Sequence, residues 1–84
     1  MVIWESVHST AIAAIGYELG PSEVKLNIHV HFKQPPGPDG ANTYVYDCGD
    51  NNRYYDGLKH AASKGRFYIH VIKARFDYQR KYAS

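Results

Sequence analysis

Eighty-four residues hold one domain at most, and a chain this short buries only about 60 to 65% of the surface its unfolded form exposes. With 44% hydrophobic residues and 14% aromatics, eight of them tyrosines, the composition argues for a folded core and against a disordered chain. The formal charge of +2 is too small to name a nucleic-acid partner by itself.

The chain opens Met1-Val2-Ile3-Trp4-Glu5, without the basic and apolar regions of a secretory leader. Residues 11 to 19 alternate on Ala13, Ile15, Tyr17 and Leu19, which predicts a strand ending at Gly20-Pro21-Ser22. A second strand follows over residues 24 to 33. Val24, Leu26, Ile28, Val30 and Phe32 point to a core, and Lys25, Asn27, His29, His31 and Lys33 to water. Three prolines and two glycines in residues 34 to 42 then make a connection longer than a minimal hairpin.

The third strand is Thr43 to Cys48. Its bulkier face, Tyr44, Tyr46 and Cys48, is expected to look inward, toward a helix. Asp50, Asn51 and Asn52 supply helix-capping chemistry ahead of Tyr54, Leu58 and Ala61, and Gly65 is a suitable stop for a helix running to about Ser63. Residues 66 to 75 read two ways. Phe67, Ile69 and Val71 alternate as in a strand, while Tyr68, Ile72 and Phe76 recur every four residues as in a helix. From Lys64 onward the net charge is +5, leaving −3 for the rest. Such a basic quarter suits phosphate, and equally suits a solvated helix end.

Cys48 stands alone, so no internal disulfide forms, and a reducing, cytoplasmic location is expected for a soluble single domain over residues 1 to 84. His29 and His31 share one strand face, as zinc ligands would, yet no third ligand sits at a recognised spacing, so no metal is expected. No phosphate loop, nucleophile elbow or paired acid and base is present, which argues against an enzyme and against a cofactor. What remains is aromatic plus basic. Tyr44, Tyr46, Tyr68 and Tyr78 interleave with Lys25, Lys33, Arg53, Arg66 and Arg75, a combination that stacks bases and pairs phosphates. Core or dimer-interface packing is the alternative role for the same tyrosines.

Ser9, Ile12 and Tyr17, then Tyr44-Val45-Tyr46, then Leu58, Ala61, Ser63 and Gly65, then Ile72, occur in an order that resembles the KTSC domain. That short module is named for its place at the C-terminus of some lysyl-tRNA synthetases and also occurs as small bacterial and phage proteins. The resemblance spans nearly the whole chain and implies an α+β fold, a three-stranded antiparallel β-meander packed against C-terminal helix. It therefore favours helix for residues 66 to 75. RNA binding is suggested for the family, and no catalytic residues carry over. Cys48-Gly49-Asp50 stands where many members have a Val-Pro step, and the proline loop is longer than the usual hairpin.

Three functions are expected on these grounds. The first is a non-catalytic module that binds RNA or a nucleotide through Tyr44, Tyr46, the row Lys25, His29, His31 and Lys33, and Arg53, Lys64, Arg66 and Arg75. The second is a phage-encoded homo-oligomer that sequesters a small nucleotide immune signal, since so short a chain cannot enclose a deep pocket alone. The third is a protein-protein adaptor.

Overall fold

The alternation of residues 24 to 33 becomes the centre of a sheet. In the computed structural model, which describes residues 1–83, it forms β3 (Lys25–Phe32), with β2 (Ile12–Leu19) on one side and β4 (Thr43–Tyr46) on the other. Two further strands close the edges, β1 (Val2–Ser6) beside β2 and β5 (Tyr78–Tyr82) beside β4. All neighbours are antiparallel and the spatial order follows the chain. The class is α+β as expected, but the sheet has five strands rather than three.

The helices lie between β4 and β5, so the chain returns to the sheet instead of ending on a helix. Helix α1 (Asn51–His60) starts where the capping residues predict, with Asp50 accepting from the Arg53 amide. Gly49, at φ +74°, makes the left-handed turn into it. Asn51 has a larger job than capping. Its side chain donates to the Leu26 carbonyl and to Asp47, and accepts from the Cys48 amide, tying the helix start to β3 and to the end of β4.

Helix α1 stops earlier than expected, because Ala61 leaves helical geometry and Ser63 caps a second helix, α2 (Lys64–Phe67). Gly65 is therefore a residue of α2 and not a terminator. Without a break, α2 continues as a wider π-helical segment, Tyr68–Lys73, so residues 66 to 73 are helical. The four-residue recurrence prevailed over the strand alternation because Tyr68 and Ile72 bury themselves against the sheet.

Between sheet and helices lie Ile12, Ile15, Ile28, Val30, Phe32, Tyr46, Tyr55, Leu58, Tyr68 and Ile72. Each fully buried aliphatic side chain contributes about 1.5 to 3 kcal/mol of transfer free energy. Edge-to-face ring contacts join Tyr17 to Tyr55, and Tyr68 to both Phe32 and Tyr46.

Two bulges explain where the simple alternation fails. Pairing shifts by one between Ile12/Phe32 and Ala14/His31, which sends Ile12 inward and Ala13 out of the expected set. A second shift, between Tyr17/Ile28 and Leu19/Lys25, leaves Leu26 and Asn27 opposite Glu18 alone. It lifts Lys25 onto the helix side, where its ammonium sits over the rings of Tyr17 and Tyr55. Leu19, Val24 and Leu26, expected inside, are about half exposed around the β2–β3 turn.

Candidate functional site

The sheet face away from the helices is not the wet surface expected for His29. Trp4 on β1 lies across Gly16 and reaches β3, its ring centre 5.7 Å from that of His29 and 6.2 Å from that of His31. Gly16 permits this, since a Cβ there would meet Trp4 Cε3 at 2.8 Å and the Ile3 carbonyl at 2.9 Å. From the opposite edge Tyr82 places its hydroxyl 3.3 Å from His29 Nδ1. His29 is consequently 2% exposed, with Nε2 3.0 Å from Glu18, and His31 hydrogen-bonds Thr43.

That hydrogen bond from His29, followed by one from Asn27, holds the Glu18 carboxyl below the usual range. Both nitrogens of His29, and Nδ1 of the half-buried His31, are thus engaged within the sheet rather than offered to a phosphate. Among the described residues, no group of three or more His, Cys, Asp or Glu could hold a metal ion.

The expected row of Lys25, His29, His31 and Lys33 is therefore broken. Lys25 rests on the helix-side rings, His29 is buried, and Lys33 follows the end of β3 and lines clefts beside α2. Arg53, Arg66 and Arg75 are exposed and line none of these clefts, and Arg53 stands over the Tyr54 ring.

A different set converges on the helix side. Three adjoining clefts run along α2 and its π-helical continuation. At one end, about 370 Å³ is bounded by Tyr44, Tyr46, Tyr68, Phe76 and Tyr78, with Lys73 and Asp77 at its wall. The middle, about 530 Å³, lies between Phe32, Pro36, Tyr68 and Ile69, with Lys33 and Lys73 beside them. At the far end Lys33 and Lys64 face Ser9, Thr10 and Ser63 across about 460 Å³. Neighbouring clefts share residues: Pro36, Tyr68 and Lys73 on one side, and Thr10, Lys33 and Gly65 on the other. The three form one groove, aromatic at one end and basic with hydroxyls at the other.

Sequence placed each wall of this groove on a distinct element. The YxY alternation puts both β4 tyrosines on the helix side, Tyr46 fully buried and Tyr44 half-buried against Phe32 and Tyr78. Tyr46 and Tyr68 share a hydrogen bond between hydroxyls, and burial pushes both phenols up. Tyr46 is thus framework, while Tyr44 and Tyr78 offer ring surface to the cleft. Lys73, Asp77, Ser9 and Thr10 were not among the expected site residues. Only the fold, which lays the π-helical segment beside the start of β2, brings them to the groove.

Other acids and the thiol serve the structure. Asp47 accepts from Gly49 and Asn51, and Asp50 caps α1. Burial, and then the charge of Asp47, push the Cys48 thiol up to about 11, the opposite of what a nucleophile needs.

No family model and no curated protein matches the chain. Among solved structures, its fold is similar to that of a KTSC domain protein from Yersinia pestis. The TM-score is 0.69 and the identity 31%, over 96% of this chain and 97% of that one.

Proposed function

The chain belongs to the KTSC domain family, and on that footing we propose that it is a small, non-catalytic binding module whose groove takes a phosphate-bearing ligand, RNA or a nucleotide. The supporting observation is the groove's polarity: half-exposed tyrosine rings at one end, and Lys33 and Lys64 with three hydroxyl side chains at the other. A base and its phosphate differ in the same way, since a ring gains about 1 to 3 kcal/mol by stacking on an aromatic side chain while phosphate pairs with ammonium and hydroxyl groups. A binding role also agrees with the employment of Asp47, Asp50 and Cys48 in the framework.

Calorimetric titration of the full chain with ribonucleoside triphosphates and with oligouridylate tests this reading. Lys33→Ala and Lys64→Ala are each expected to weaken binding and to reduce the slope of log affinity against log salt, by about 0.7 for each phosphate of a single strand that the variant leaves unpaired. If neither substitution changes affinity or slope, the groove is not the phosphate site.

One observation favours a second reading, a homo-oligomer that encloses a small nucleotide between subunits. Leu19, Val24 and Leu26 leave an apolar cluster about half exposed at the β2–β3 turn, a surface that association would cover. Native mass spectrometry showing only monomer at working concentration would rule it out.

A further inference from the structure

We propose that the aromatic end of the groove selects guanine among the bases, an inference that rests on the groove being a nucleotide site. Of all the residues lining the three clefts, Asp77 is the single carboxylate, and it stands at the end farthest from Lys33 and Lys64. A carboxylate repels phosphate, so its place assigns that end to the base and the lysine end to the phosphate. Lys73 lines the same cleft, four residues earlier in the chain, and neither side chain has a hydrogen-bond or ion-pair partner among the described residues. Most other carboxylates are engaged: Glu5 with Lys59, Glu18 with His29, Asp39 with Lys81, Asp56 with His60. Lys73 and Asp77 are thus a donor and an acceptor left open beside the Tyr44 and Tyr78 rings.

The pairing edges of the bases differ in what they present to such a couple. Guanine alone among the four offers two adjacent donors, N1–H and the 2-amino group, which the two oxygens of one carboxylate accept together. Next to them lies the O6 acceptor, which an ammonium can meet. Adenine has an amino donor beside the N1 lone pair, so the carboxylate would gain one bond and face one repulsion. Cytosine has the same defect, and uracil places its one donor between two carbonyls. The arrangement of one ammonium and one carboxylate on the wall of an aromatic cleft is complementary to guanine and mismatched to the others.

Comparing GDP, ADP and IDP keeps the phosphates constant and varies only this edge. For the unmodified full chain, GDP is expected to bind about five- to a hundredfold more tightly than ADP, with IDP, which lacks the 2-amino group, between them. Asp77→Asn is expected to remove most of the GDP advantage, by weakening GDP and tightening ADP together, because the amide can donate to the adenine N1 lone pair that the carboxylate repels. The substitution breaks no hydrogen bond or ion pair, because the Asp77 side chain makes none among the described residues. Equal binding of GDP and ADP, with both weakened by Lys33→Ala, would overturn the guanine assignment and leave the groove as a phosphate site. An ADP preference would do the same, and failure of all three diphosphates to bind would overturn the guanine assignment and the nucleotide reading, while the oligouridylate titration alone decides whether the groove takes RNA.

Discussion

On one side of the sheet, α1 and the helical run after it bring Tyr55, Leu58, Tyr68 and Ile72 down onto β2, β3 and β4. On the other side no helix is laid among the described residues, and Trp4 and Tyr82 lean in from the two edge strands over His29. The first arrangement buries aliphatic and aromatic groups almost completely. The second buries a polar pair, His29 and Thr43, under rings that remain about 44% and 43% exposed. A sheet can thus dry its centre without a second helical layer, provided that one strand has a glycine for a neighbouring ring to lie on and that each buried nitrogen has a partner. That lid is thinner, and it should contribute less.

Substitution can break this contrast directly. Ile72→Ala opens a void in the helix-covered face and is expected to cost about 2 to 5 kcal/mol of unfolding free energy, read from urea denaturation. Trp4→Ala removes a larger side chain but one already half in water, and about 1 to 2 kcal/mol is expected. Equal losses would mean that the two faces share the stability evenly.

An effect of comparable size tests the covered face itself. Tyr46→Phe strands the buried Tyr68 hydroxyl and should cost about 1 to 3 kcal/mol, whereas adding Tyr68→Phe should cost little more, because both partners are then gone. Additive losses in that double-mutant cycle would show that the two hydroxyls act independently.

The smallest effect concerns the rim between α1 and β1. Hydrogen bonds from Lys59 and then from Tyr55 lower the Glu5 pKa below 4.5, so the folded chain releases this proton more readily than the unfolded one. The resulting stability is present above pH 4.5 and is lost as pH falls through the lowered value. Glu5→Gln should therefore flatten the acid limb of the stability profile by less than about 1 kcal/mol, since the pair is partly solvated. An unchanged limb would place the acid sensitivity elsewhere, with Glu18 the next carboxylate to examine.

Much of this architecture was legible in the residues. Period-two runs marked β2, β3 and β4, and the capping chemistry at Asp50 marked the start of α1. Both edge strands escaped. β1 is only five residues long, and β5 reads Tyr-Gln-Arg-Lys-Tyr, which resembles a solvated basic tail because an edge strand tolerates charge. A bulge at Gln79 also breaks its alternation. For the groove, alternation correctly grouped Tyr44 with Tyr46, and the basic count included Lys33 and Lys64. The histidine row misled because a period states which residues share a face, and not what a neighbouring strand lays over them. Lys73 and Asp77 joined the groove only through the path of the helical run, which no local pattern encodes.

That path has one more consequence, for the order in which the molecule assembles. The chain leaves the sheet at Tyr46 and does not pair again until Tyr78, so β4 and β5 close the longest excursion in the structure, with both helices inside it. Turns joining β1, β2 and β3 are short and cost little entropy to close; this one is costly until the helices shorten it. Docking of Tyr68 and Ile72 on the sheet and arrival of the last strand are accordingly one linked event. The aromatic end of the groove, whose walls come from β4, the helical run and β5 together, cannot exist before that event is finished.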